Sequence, residues 1–147
     1  MTATSPGTWT LRCDGGSRGN PGPGALGYVL SDPAGHEVEA RGEFLGVCTN
    51  NVAEYRALIA GLAAAARHRA SPVVVCMDSE LVVRQMTGEY RVKHAGLKPL
   101  HAEAARAAAK LGQVRFVAVR REENARADEI VNQTLDRALD TSSESPR

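Results

Sequence analysis

Four carboxylates stand where the chain passes from one element to the next. Asp14 closes an alternating apolar run, Glu54 opens a helical pattern, Asp78 follows an unbroken apolar stretch, and Asp128 lies in the first turn of a terminal helical segment. Each has an ordinary explanation. Glu54 is three residues after Asn51, the spacing of a capping box; Asp78 can cap a helix starting at Ser79, Asp128 can favour a helix dipole, and Asp14 can sit in a polar turn. As a set they point to other chemistry. Clustered carboxylates repel and rise in pKa unless a hard cation neutralises them, and magnesium takes oxygen ligands at roughly 2.1 Å. That combination serves two-metal hydrolysis of phosphodiesters, with water as nucleophile.

The elements expected around these acids follow from periodicity. Trp9, Leu11 and Cys13 alternate with Thr10, Arg12 and Asp14, which reads as a strand ending at Asp14. The stretch Gly15 to Gly24 holds five glycines and two prolines and reads as a turn-rich loop. Residues 25–31 and 38–45 form two strands joined by the turn Asp32-Pro33-Ala34-Gly35. Val52, Tyr55, Ile59, Leu62 and Ala66 recur at helical steps, with Asn51 placed as N-cap. Val73 to Met77 is apolar throughout, as in a strand buried on both faces.

A short helix over Ser79–Thr87 and an alanine-rich one over Pro99–Leu111 come next, then a strand over Val114–Val119. Asn124 is placed to cap a last helix bearing Ala127, Val131, Leu135 and Ala138 on one stripe. The order βββαβααβα predicts an α/β fold with a mixed five-stranded sheet, strands 1–3 antiparallel and strands 4 and 5 parallel to strand 1, flanked by helices. The first and fourth strands would then be parallel neighbours, with Asp14 and Asp78 side by side at the carboxyl ends where open α/β sheets bind ligands.

Composition narrows the class. The 147 residues carry a formal charge of +1, so any nucleic-acid contact depends on local placement of charge. Cys13, Cys48 and Cys76 form an odd set without CxxC spacing, which argues against a disulfide framework or a structural zinc site and favours a reducing, cytoplasmic setting. The N-terminus lacks an apolar signal core and no apolar run reaches the roughly 20 residues of a membrane span. One domain over residues 8–140 is expected, with 1–7 and 141–147 as flexible termini or a linker stub. His36, His68 and His101 fall in no metal-ligand pattern, and Cys13 and Cys76 read as core thiols.

The stretches DGGSRGNPGPGA (14–25), TNNVAEYRALIAGL (49–62), DSELVVRQM (78–86) and ENARADEIVN (123–132) resemble, in order and spacing, the four signature segments of type 1 ribonucleases H. The resemblance spans Thr8 to Leu139 and includes the element order. It implies a ribonuclease H-like fold and an endonuclease that cuts the RNA strand of RNA/DNA hybrids, leaving 5′-phosphate and 3′-hydroxyl ends, with a part in DNA replication and repair. Two Mg2+ ions are implied, with Mn2+ as a substitute. Asp14 would bridge them, Asp128 would help hold the one that activates water, and Glu54 and Asp78 would hold the other. Gly15, Gly16, Ser17, Arg18, Asn20, Asn51 and Glu80 would face the RNA strand and its 2′-hydroxyls, the feature that separates RNA from DNA. Asn50 and Thr49 would lie nearer the DNA strand.

The chain departs from the family pattern in three places. Position 80 is Glu where many relatives carry Gln, which puts a negative charge beside the metals. Thr87 to Lys98 holds only Arg91, Lys93, His94 and Lys98 where many bacterial relatives insert a Trp- and Lys-rich basic handle. Arg120-Arg121-Glu122-Glu123 runs directly into Asn124 without the loop His of many relatives, as in the short-loop variety of archaea and actinobacteria; Arg121 and Glu123 are the candidates to replace it. Nothing in the sequence suggests more than a monomer or an obligate protein partner. A hybrid-binding module that has lost its chemistry is the alternative, and the presence of all four acids disfavours it. Integrases and proofreading exonucleases lack the GNPGPG loop and the NNxxE spacing.

Overall fold

The computed structural model describes residues 7–143, with side chains through 140; residues 1–6 and 144–147, where flexible termini are expected, lie outside the described residues. Its sheet is built from β1 (Trp9–Ser17), β2 (Gly22–Ser31), β3 (Glu37–Cys48), β4 (Val73–Met77) and β5 (Val114–Ala118), in the spatial order β3-β2-β1-β4-β5. β2 runs antiparallel to both β1 and β3, while β4 is parallel to β1 and to β5, as the element order predicts. The helices are α1 (Asn50–Arg67), α2 (Glu80–Met86), α3 (Lys98–Leu111) and α4 (Ala125–Ser143), the last preceded by a 3-10 turn over Arg121–Asn124. α4 thus continues past residue 140, where the domain is expected to end. Among the described residues no helix is long and apolar enough to cross a membrane.

The two faces of the sheet are covered unequally. On one face Leu11, Cys13, Leu26, Tyr28 and Leu30 meet Leu58 and Leu62 of α1 and Leu100 and Ala104 of α3, all buried in one continuous core. Truncating a fully buried leucine such as Leu58 or Leu62 to Ala removes about 2–5 kcal/mol from a core of this kind. On the other face, among the described residues, α4 packs through Val131 and Leu135 against Ala25. It lies close because Gly27 and Gly42 are cross-strand partners without side chains. A Cβ at Gly42 would stand 2.1 Å from Thr134 Oγ1, and one at Gly27 would stand 2.9 Å from the Ala127 carbonyl.

Three local expectations are corrected. The glycine-rich stretch is not a loop from Gly15 to Gly24. β1 runs on to Ser17 and β2 starts at Gly22, because Gly15↔Leu26, Gly16↔Ala25 and Ser17↔Gly24 pair in register, which confines the turn to residues 18–21. α1 is capped by Thr49, whose hydroxyl accepts from Val52 N at 3.3 Å, and Asn51 lies inside its first turn. Asn124 does not cap α4; its side chain points inward and is fully buried. Ser79 does cap α2, accepting from Val82 N at 3.3 Å.

Candidate active site

The four acids come from four elements and line one cavity of about 300 Å³, with Gly15, Gly16, Ser17, Arg18, Asn50, Arg121 and Asn132 also on its wall. The parallel pairing of β1 with β4 has its last registered pair at Arg12↔Cys76, so Asp14 and Asp78 each stand two residues beyond it, Asp14 within β1, which continues to Ser17, and Asp78 just past the end of β4. Glu54 enters from α1 and Asp128 from the first turn of α4.

Glu54 reaches the site because α1 passes almost against β1. A Cβ on Gly15 would stand 2.2 Å from the Ala53 carbonyl oxygen, so only glycine allows the approach. The Gly15 N–H then donates to Glu54 Oε1 at 3.3 Å. The capping-box reading of Glu54 fails, since its carboxylate faces β1 and Thr49 caps the helix. Its other oxygen, Oε2, is buried without a hydrogen-bond partner.

This crowding leaves a clear electrostatic mark. Asp14 is 6% exposed, and its carboxyl is pushed up to about 8, first by burial and then by the Asp78 charge and the adjoining Asp128 carboxyl. Glu54 is driven well above the ordinary glutamate range by burial, with the charges of Asp14 and Asp78 adding to it. Among the described residues no three His, Cys, Asp or Glu side chains are already spaced as a closed metal cage. The donor set nevertheless fits a hard divalent cation: every donor is a carboxylate oxygen, one is orphaned in the interior, and two groups resist ionisation for want of positive charge.

The residues assigned to substrate separate into those that meet at this cavity and those that do not. Asn50 Oδ1 accepts from Ser17 N at 2.9 Å and from Ser17 Oγ at 3.1 Å, and Asn50 N donates to Asn20 Oδ1 at 3.0 Å. The β1–β2 turn and the start of α1 are thereby locked into one rim. A Cβ at Gly16 would stand 3.9 Å from Asn50 Oδ1, an ordinary contact, and Arg18 extends to α4, donating to Asp136 Oδ1 at 2.6 Å. Asn51 is exposed on the first turn of α1. Glu80 lies off the cavity wall, 62% exposed, and pairs with Arg84 at 2.8 Å along the outer side of α2.

Of the two candidates for the missing loop histidine, Arg121 lines the cavity with its guanidinium 3.8 Å from Asp128 Oδ1. Glu123 does not. It accepts from Arg120 N and lines a separate hollow with Arg12, Cys76 and Arg115. Arg91, Lys93, His94 and Lys98 are exposed on the segment between α2 and α3 or at its end. Two residues at the site escape sequence reasoning: Asn132, which donates to Asp128 Oδ2 at 3.3 Å, and Asn124, whose buried side chain donates to the Cys13 carbonyl at 2.8 Å and to Asp78 Oδ1 at 3.0 Å. The signal for Asn124 is its place four residues before Asp128, which reads equally well as a cap.

A family model described as reverse transcriptase-like matches residues 12–134. The bifunctional protein Rv2228c of Mycobacterium tuberculosis is 42% identical over 130 residues, which cover 87% of this chain and 35% of that protein, so the chain spans about a third of its length. The solved N-terminal RNase H domain of Rv2228c superposes with a TM-score of 0.88 at 39% identity, covering 92% of this chain and 99% of that one. LC11-RNase H1, from a compost metagenome, solved in complex with an RNA/DNA hybrid, gives a TM-score of 0.85 at 43% identity over 89% of this chain and 99% of the other.

Proposed function

This chain belongs to the ribonuclease H family, and from that membership we propose that it hydrolyses the RNA strand of RNA/DNA hybrids. The observation that carries the reading is the convergence of Asp14, Glu54, Asp78 and Asp128 on one cavity, with Asp14 held to about 8 and a Glu54 oxygen orphaned in the interior. Four carboxylates brought together from four elements, two of them buried, would serve no fold as well as apolar side chains, because clustered like charges cost stability.

The four acids would hold two Mg2+ ions, for which Mn2+ would substitute. When bound, such ions lower the pKa of water and offset the charge that gathers on the phosphate and the leaving oxygen. The contribution of the chain itself is position. Gly15 N–H fixes one oxygen of Glu54, and the parallel pairing of β1 with β4 fixes Asp14 beside Asp78. The Ser17–Asn50–Asn20 lock sets the rim at which the RNA strand and its 2′-hydroxyls would lie, along the backbone of Gly15 to Arg18 and beside the Asn20 side chain, whose oxygen is held by Asn50 N. Thr49, Asn51 and Glu80 would take the outer contacts. In the reaction water oxygen bonds to phosphorus while the P–O3′ bond breaks, giving 5′-phosphate and 3′-hydroxyl ends. No side chain needs to form a covalent intermediate. A single catalytic domain over residues 8–140, working as a monomer in a reducing cytoplasm on hybrids left by DNA replication and repair, completes the reading; the three unpaired cysteines support the compartment.

The test is cleavage of a strand-labelled hybrid beside duplex RNA and duplex DNA, with Mg2+, with EDTA, and with Asp78→Asn. Metal-dependent cutting of the hybrid's RNA strand, lost in the variant, is the expected result. Binding of the hybrid without cutting would favour a binding module, and cleavage of duplex DNA would sink both readings.

A further inference from the structure

Asn124 is 0% exposed and sits at the last residue of the 3-10 turn, between β5 and α4. One N–H of its amide donates to the Cys13 carbonyl, directly before Asp14, and the other to Asp78 Oδ1. The ladder between β1 and β4 has its last registered pair at Arg12↔Cys76, and two residues beyond it this amide links β1 to the residue that follows β4. It also anchors the start of α4, four residues before Asp128. The amide oxygen, by contrast, is buried with no partner.

Packing alone does not account for that choice. Burying an amide with one end unsatisfied is costly where an aliphatic side chain fills the same space at no such cost. The donor half must therefore recover what the acceptor half loses, and its targets are one acid of the cluster, Asp78, and the carbonyl that directly precedes another, Asp14. We propose that Asn124 is the positioning residue of this site: it selects the Asp78 rotamer by engaging Oδ1, which leaves Oδ2 to face the cation, and it fixes the spacing between Asp14 and Asp78. The inference rests on the metal-dependent reading above.

Asn124→Ala removes the donor and Asn124→Leu removes it while refilling the space. Mn2+ binding is measured by calorimetry on the protein without nucleic acid, thermal melts in EDTA report folding, and steady-state cleavage gives kcat and KM for the hybrid. Residues that orient metal ligands commonly govern metal affinity by about 10–100-fold. Both variants are expected to melt cooperatively, to lose Mn2+ affinity by about that factor, and to lose kcat while KM stays within about twofold of wild type. Wild-type Mn2+ affinity in Asn124→Leu, or a lowered melting temperature with unchanged Mn2+ affinity, would reduce the residue to core filler and overturn the proposal. If Asn124→Leu does not fold, Asn124→Ala decides by the same criterion. Absence of Mn2+ binding by the wild-type protein would overturn the metal-dependent reading together with this inference, whereas normal binding by wild type and variants alike overturns this inference alone.

Discussion

Asp14 shows what a carboxylate buried in an acid cluster costs its own fold. With its carboxyl pushed up to about 8, chiefly by burial and then by Asp78 and Asp128, the folded chain keeps a proton there that the unfolded chain has already released above the ordinary aspartate range. A raised acid pKa means the folded state binds more protons across that interval, so the stability contributed by this group is present at the acid end and is lost as pH rises towards about 8. Glu54 acts with the same sign. Melting in EDTA should therefore shift to lower temperature as pH increases from about 5 to about 8, and saturating Mg2+ should remove most of that slope. Asp14→Asn should flatten the metal-free slope and raise the melting temperature at pH 8 by about 3–8 °C, the size expected from 1–2 kcal/mol in a chain of this length, while abolishing cleavage. A metal-free variant less stable than wild type at pH 8 would show that Asp14 is not repelled in the folded state.

At the scale of elements, the site depends on how closely α1 approaches β1. Gly15→Ala drives a methyl group to 2.2 Å from the Ala53 carbonyl, so one of the two must move. A loss of about 1–3 kcal/mol in denaturant unfolding, with reduced cleavage because Glu54 moves with α1, is the expected outcome; an unchanged midpoint would mean that the approach is elastic. The same scale separates what could be read from the sequence and what could not. The order of elements, the parallel placement of β1, β4 and β5, and the turn at Asp32 follow from periodicity, which reports burial directly. The extension of β1 through Gly15-Gly16-Ser17 does not, because those residues carry no apolar pattern and are held by backbone pairing with β2 and by the contacts of Gly15 with Glu54 and of Ser17 with Asn50, which lie over 30 residues away. Cap assignment fails in a similar way. Thr49, Asn50 and Asn51 are adjacent residues of comparable capping strength, and the choice of Thr49 is made by the Asn20 and Ser17 contacts that engage Asn50. Asn124 looks like a cap because its inward orientation is decided by Asp78, which is 46 residues away in sequence.

For the whole molecule, charge is the governing quantity. A formal charge of +1 gives no general attraction to nucleic acid, and the basic residues that remain unabsorbed near the site are few: Arg18 is tied to Asp136, and Arg84 to Glu80 and Glu89. Hybrid binding should therefore involve roughly two to four neutralised phosphates, giving a slope of about −2 to −4 in log affinity against log salt. A slope steeper than about −6 would require a basic surface that these residues do not supply. Adding the charge-reversing change Glu80→Lys should steepen the slope, since Glu80 is exposed and lies off the cavity wall.

The most direct measurement of the central claim is the initial rate of cleavage of a labelled RNA/DNA hybrid as a function of Mg2+ concentration, for wild type and Asp14→Asn, with the ends of the RNA fragments identified. No cleavage without metal, a rate that rises with Mg2+, loss of at least about 10³-fold in the variant, and fragments bearing 5′-phosphate and 3′-hydroxyl ends are the predicted results. Cleavage that persists in EDTA, or fragments ending in a 2′,3′-cyclic phosphate, would contradict the account, because the RNA's own 2′-hydroxyl and not water would then be the nucleophile.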